Sequence, residues 1–108
     1  MENSVAHFLK MSGVVLPAKR KEFEQTSRFV AHQLSPDCLQ FSFSTDLFIV
    51  GRYHFYSLWP SAEALAVFCR SQEFQILEGA YRTLGSLEQN ILGEEVEIQS
   101  FHITGKDL

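Results

Sequence analysis

The residues best suited to chemistry lie in one aromatic run, from Tyr53 to Trp59. Within this run His54 has a side chain whose ordinary pKa lies near neutrality, as a general base requires. Trp59 offers a large ring for stacking together with one N–H donor. Within this run His54 is the candidate general base, and Trp59 is the candidate surface on which a substrate stacks. A purely structural Trp59, packed in a core or an interface, is the alternative.

The predicted substrate contacts are polar or aromatic side chains on this run and on the helix after it: Tyr53, Ser57, Phe68 and Tyr81. Side chains of a strand alternate between its two faces, so one of Tyr53 and Tyr56 can line a cavity between sheet and helices. The same rule places His54 and Trp59, five residues apart, on opposite faces of a regular strand. They can serve one pocket only through a β-bulge or across a dimer.

Three histidines suggest a second hypothesis, a metal or proton-transfer site within the sheet. If the strand order is 4-1-3-2, then His7, His54 and His102 lie on neighbouring strands. Adjacent imidazoles can bind a metal or transfer a proton. Isolated histidines that hydrogen-bond within the sheet are the alternative, and we predict no metal site. Cys69 has no evident activating base and is predicted to be a buried, structural thiol.

Composition restricts the function further. Nine basic and 13 acidic residues give a net charge of −4, which disfavours a nucleic-acid partner because phosphates require a basic surface. The chain has no signal-peptide pattern and no apolar run of the roughly 20 residues that a membrane helix needs. Its two cysteines are predicted to be reduced rather than paired. We therefore expect one cytoplasmic domain spanning residues 1–108, with no membrane partner.

The elements that must position these residues follow from periodicity, turns and caps. In chain order they are a strand over 4–12, a helix over 17–34, strands over 39–44 and 48–59, a helix from Ser61 that restarts at Ser71 and ends at Gly85, and a strand after Gly93. This βαββαβ order predicts an α+β, ferredoxin-like fold with an antiparallel four-stranded sheet.

Two segments resemble the antibiotic-biosynthesis monooxygenase family of dimeric α/β barrels. One is Trp59-Pro60-Ser61 with Ala64-Leu65 and the Ser71-to-Phe74 segment; the other is the run from Pro36 to Phe41. The resemblance implies a homodimer whose sheets pack face to face, and ten phenylalanines suit such an interface. It also implies a small hydrophobic or aromatic ligand of quinol type. The implied reaction is cofactor-independent oxygenation, in which a base deprotonates a phenol and the anion reacts with O₂.

The sequence departs from that family where its members carry polar catalytic residues. The positions of the family's Asn, Tyr, Glu and His fall here at Phe55, Leu65, Ser57 and Phe68. Haem-degrading relatives use an axial histidine, and its equivalent here is Glu78, a poor ligand for that chemistry. We accordingly expect no cofactor. A non-catalytic dimer that binds a small hydrophobic ligand, or is purely structural, is the alternative to the oxygenase.

Overall fold

The computed structural model describes residues 5–96, which form one antiparallel sheet with helices packed against it. The elements are β1 (Val5–Val15), a short 3-10 turn (Pro17–Lys19), α1 (Arg20–Gln33), β2 (Gln40–Thr45), β3 (Arg52–Trp59), α2 (Ala62–Cys69), α3 (Gln72–Leu84) and β4 (Gly85–Val96). The strand order is β2-β3-β1-β4. This arrangement confirms the predicted ferredoxin-like fold and its strand order.

Serine caps define the starts of the two helices after β3. The Ser61 hydroxyl accepts a hydrogen bond from the Ala64 amide at 3.0 Å, and the Ser71 hydroxyl accepts one from the Phe74 amide at 3.2 Å. Each cap satisfies an amide that the first helical turn leaves free. Both predicted caps are confirmed, and the helical segment divides between them into α2 and α3.

The third strand begins four residues later than predicted. The apolar residues 47–50 favour a strand by propensity, but they form the turn between β2 and β3. The Asp46 carboxylate accepts hydrogen bonds from the Phe48 and Ile49 amides at 2.9 and 2.8 Å, and Gly51 has a φ of 86°. Local side-chain bonding and a left-handed glycine therefore override β propensity at this point.

The last strand begins earlier than predicted. β4 starts at Gly85, the residue that also ends α3, and Gly93 lies inside the strand opposite Phe8. A Cβ at Gly85 would clash with the Val14 carbonyl oxygen, so only glycine allows the two strands this approach. The sequence predicts Gly85 only as the end of a helix, so residues 85–93 of β4 are missing from the prediction.

The core lies between the sheet and the helices. On β3 the buried side chains are Tyr53, Phe55, Ser57 and Trp59, in strict alternation with half-buried ones. Phe23 and Val30 of α1 and Leu77 and Tyr81 of α3 cover this face and are essentially inaccessible. None of the helices within residues 5–96 is long and apolar enough to cross a membrane.

Candidate functional site

An aromatic row crosses the helix-facing side of the sheet and ends at two cavities. Ring centroids are 4.8 Å apart for Phe43 and Phe55, 6.3 Å for Phe55 and Phe68, and 4.8 Å for Phe68 and Trp59. Phe43 lines a cavity at one end of the row, whereas Phe68 and Trp59 line a cavity at the other end. The helix-facing side of the sheet thus has two cavities that can receive a small molecule.

The Trp59 cavity has a volume of about 450 Å³. It lies where β3 meets the end of α1 and the starts of α2 and α3, and its lining residues are Gln33, Ser35, Asp37, Trp59, Ser61, Glu63, Ala64, Val67, Phe68, Ser71 and Glu73. This volume falls within the roughly 300–1,000 Å³ of small-molecule sites. The cavity therefore has room for a one- or two-ring ligand.

A stacked aromatic pair forms the back wall of the Trp59 cavity. The Trp59 and Phe68 rings are 4.8 Å apart at an interplanar angle of 25°, and the indole N–H donates a hydrogen bond to the Ser57 hydroxyl at 2.9 Å. Trp59 is only 1% exposed, so little of its ring is accessible to a ligand. Phe68 covers one face of the indole that the sequence predicts to stack on a substrate.

The rim of the Trp59 cavity is acidic and polar. Its ionisable side chains are the carboxylates of Asp37, Glu63 and Glu73. Glu63 and Glu73 lie in the first turns of α2 and α3, where the positive end of each helix dipole favours a negative charge. Helix stability alone therefore accounts for two of the three carboxylates.

His54 lies on the opposite face of the sheet from Trp59. The pairing of β3 with β1 is continuous, with Trp59 opposite His7 and His54 opposite Ser12, so no bulge brings the two β3 side chains together. The His54 Nε2 atom is 2.9 Å from the Asp46 Oδ1 atom. This hydrogen bond, with those from the Phe48 and Ile49 amides, lowers the pKa of Asp46 from 3.8 to about 2. Within one chain His54 fixes the β2–β3 turn.

The three-histidine hypothesis gains no support from residues 5–96. His7 lies opposite Trp59, whereas His54 lies opposite Ser12 and points to the other face. No group of three metal-binding side chains occurs in the described part of the chain, and His102 lies outside it. His7 and His54 therefore do not form a pair.

The predicted substrate contacts do not converge on one cavity. Phe68 lines the Trp59 cavity, and Ser57 is fully buried behind the indole. Tyr81 is also fully buried, and its hydroxyl donates to the Tyr53 carbonyl oxygen at 3.1 Å. Burial raises the pKa of Tyr81 well above its usual range, as for a phenol that stays neutral. Tyr81 and Ser57 therefore line neither cavity and instead hold Tyr53 and Trp59 in place.

Tyr53 lines the second cavity, which lies between α1 and the β2 edge. This cavity, the Glu24 cleft, has a volume of about 570 Å³ and is lined by Glu24, Ser27, Arg28, Ala31, Phe43, Ser44, Thr45 and Tyr53. The Tyr53 hydroxyl donates to the Glu24 Oε2 atom at 2.6 Å. Burial, followed by this bond to a carboxylate, raises the pKa of Tyr53 to about 12.

Sequence reasoning missed Glu24 because α1 periodicity predicts it to face outward. The position is half-buried, one residue after the buried Phe23 and three before the buried Ser27. Its place at the edge of the apolar stripe was the available signal. Both cysteines are free, but Cys69 is half-buried rather than buried as predicted, and desolvation raises the pKa of its thiol.

The geometry defines a ferredoxin-like α+β chain with cavities on the helix side of its sheet. Solved structures with this geometry include a conserved protein of Methanosarcina mazei, at TM-score 0.72 and 14% identity, covering 85% of this chain and 92% of that one. A Caulobacter crescentus protein, provisionally assigned as an antibiotic biosynthesis monooxygenase, gives TM-score 0.71, 19% identity and coverages of 90% and 92%. A Nitrosomonas europaea protein with the same provisional assignment gives a TM-score of 0.72 at 11% identity, covering 92% of this chain and 95% of that one.

These likenesses show that the chain has an antibiotic-biosynthesis-monooxygenase-like fold, as its motifs indicated. At the sequence level no family model matches the chain, and no curated protein matches it. The fold is therefore established by shape, and the activity has to be argued from the cavities.

Proposed function

We propose that this protein binds a small, flat, aromatic molecule of quinol type in the Trp59 cavity. The observation that carries the proposal is the stacked Trp59–Phe68 pair, which forms the back wall of a cavity of about 450 Å³. Half-buried Ala64 and exposed Val67 add apolar side walls. Aromatic walls with a few polar groups at the rim are typical of sites for small hydrophobic ligands.

Cofactor-independent oxygenation of that ligand is the second candidate, and it is favoured by neighbours of the same fold that are described as monooxygenases. In this reaction the phenolic proton passes to a base, and the electron-rich ring then takes one oxygen atom from O₂. The other oxygen atom leaves as water, and the substrate supplies the two electrons and the two protons that form this water. No cofactor takes part in this scheme.

The position of His54 favours ligand binding over oxygenation as the function of the Trp59 cavity. Its imidazole points to the face of the sheet that is turned away from the Trp59 cavity. The cavity itself offers carboxylates, which are weaker bases toward phenols than imidazole because their ordinary pKa is near 4. The His54 base therefore requires a partner chain, and ligand binding does not.

We further propose that two copies pair through the open face of the sheet, the face without helices. Phe8 and Tyr56 stack there at 6.2 Å, and Leu58 lies half-buried on the same face. Such pairing leaves the helix-side cavities accessible. A cytoplasmic location remains our proposal, supported by the two free thiols.

Trp59 is the only tryptophan in the chain, so its fluorescence reports on the cavity that it lines. We expect 1,4-dihydroxynaphthalene, added under nitrogen, to quench this fluorescence saturably. Ala64→Phe fills the cavity and should abolish saturation. The matched variant Ala62→Phe places the same side chain on the same helix at an exposed position outside the lining, and it should bind normally.

Oxygen uptake then separates the two functions. In air, an oxygenase should consume O₂ above the spontaneous rate with the wild-type protein and with Ala62→Phe but not with Ala64→Phe. Saturable quenching without added uptake would support binding alone. Equal quenching by both phenylalanine variants would refute the site.

A further inference from the structure

The Glu24 cleft presents a carboxylate oxygen that the protein does not use. Glu24 is half-buried, and its Oε2 atom accepts the 2.6 Å hydrogen bond from Tyr53. Among residues 5–96, no hydrogen bond or ion pair reaches its Oε1 atom, although that atom is not sealed from solvent. The cleft thus contains an accessible acceptor beside its apolar walls.

The Tyr53 phenol holds this carboxylate in a fixed position. Its ring packs against Phe23 at 4.8 Å, and its backbone carbonyl accepts the Tyr81 hydroxyl. Tyr53 is 7% exposed, so the surrounding core holds its ring in place. A short bond from such a donor restrains Glu24 as well, which lowers the entropy cost of a contact with a ligand.

The charges around the cleft favour a neutral ligand. Arg28 lines the cleft together with Glu24, so the two opposite charges offset each other. Arg20 acts on the Tyr53 phenol but does not line the cleft. Within the lining, an anion would be repelled by the Glu24 carboxylate, and a cation would be repelled by the Arg28 guanidinium. A neutral molecule that donates one hydrogen bond is repelled by neither charged group.

The walls favour a mostly apolar molecule. Phe43 and Ala31 supply apolar surface, and the Ser27 hydroxyl is already engaged, since it donates to the Phe23 carbonyl oxygen at 3.0 Å. A volume of about 570 Å³ accepts a one- or two-ring compound.

We propose that the Glu24 cleft is a second ligand site, separate from the Trp59 cavity. It takes a neutral aromatic molecule whose hydroxyl donates to the Glu24 Oε1 atom, while Tyr53 holds the carboxylate from the other side. Phe43 and Ala31 contact the ring of the ligand. This site does not depend on the function proposed for the Trp59 cavity.

The test uses 4-fluorophenol, followed by fluorine NMR with the full chain. We expect Glu24→Gln to weaken binding about tenfold or more, because a hydrogen bond to a charged acceptor becomes one to a neutral amide. Glutamine still accepts the Tyr53 hydroxyl, so the fold should persist, as circular dichroism can verify. Glu22→Gln makes the same charge change at an exposed site on the same helix and should leave the affinity unchanged.

Two further measurements show which cavity binds 4-fluorophenol and whether its hydroxyl is needed. Ala31→Phe fills the Glu24 cleft and should remove binding, whereas Ala64→Phe fills the Trp59 cavity and should not. 4-Fluoroanisole, which lacks the donor, should bind weakly and equally to the wild-type protein and Glu24→Gln. The proposal is overturned if Glu24→Gln binds 4-fluorophenol as tightly as the wild type, if Glu22→Gln loses as much affinity, or if Ala64→Phe alone abolishes binding.

Discussion

At the scale of single residues, Ser57 determines how the only tryptophan is held. Its side chain is fully buried, and its hydroxyl is the acceptor for the indole N–H. Ser57→Ala leaves that buried donor without a partner, which costs about 1–3 kcal/mol. We expect the free energy of unfolding, measured by urea denaturation, to fall by that amount.

Ser42→Ala is the matched control because Ser42 is exposed on the neighbouring strand β2. Its effect should stay within about 0.5 kcal/mol. If Ser57→Ala unfolds at the same urea concentration as Ser42→Ala, the indole does not depend on this hydrogen bond.

Strand alternation predicted the separation of His54 from Trp59, which the register of β3 confirms. Alternation could not predict Glu24, since its bond to Tyr53 depends on how α1 crosses the sheet. A residue 29 positions away in the chain is not a local signal. The candidate site was therefore predictable along β3 and hidden wherever a helix contributes a side chain.

At the scale of elements, Asp46 controls where β2 ends and β3 begins. It accepts two backbone amides and the His54 imidazole, and its pKa in the folded chain is about 2 instead of 3.8. A carboxyl group whose pKa is lower in the folded chain than in the unfolded chain stabilises the fold at pH values above its unfolded-state pKa. This stabilisation is complete above about pH 4 to 5 and is lost as the pH falls from 3.8 toward 2.

Asp46→Asn should therefore be less stable than the wild type at pH 6, and the difference should shrink as the pH is lowered from 4 to 2. Urea denaturation at several pH values measures it. His54→Gln removes the leading cause of the shift and should move the loss of stability toward higher pH. A stability difference that stayed constant from pH 6 to pH 2 would contradict the role of the carboxylate.

Element order and the starts of α2 and α3 were predictable because caps and periodicity are local, whereas the first three residues predicted for α1 form a 3-10 turn. The start of β3 was not predictable, because residues 47–50 have strand propensity and only the Asp46 bonds hold them in a turn. The start of β4 at Gly85 depended on close contact with Val14, which is distant in sequence.

At the scale of the whole molecule, the described part of the chain leaves much apolar surface uncovered. Leu47, Phe48 and Val50 at the tip of the β2–β3 turn are 85%, 83% and 77% exposed, and Ile91 on β4 is 44% exposed. Ile91 pairs with Lys10, on the same face as Phe8. Contiguous exposed apolar surface on a small chain usually marks an interaction site.

Pairing of two chains through the open sheet face would bury Phe8, Tyr56, Leu58 and Ile91 against their counterparts. We therefore expect sedimentation at micromolar concentration to give twice the mass of one chain. Phe8→Glu places a charge in that interface and should give insoluble protein, since the remaining apolar face stays exposed. Phe29→Glu, at a position on α1 that is 51% exposed, makes the same change outside the interface and should remain dimeric. A wild-type protein that sediments only as a single chain would end the dimer proposal. A soluble Phe8→Glu dimer would place the interface elsewhere, with the apolar turn at 47–50 as the next surface to substitute.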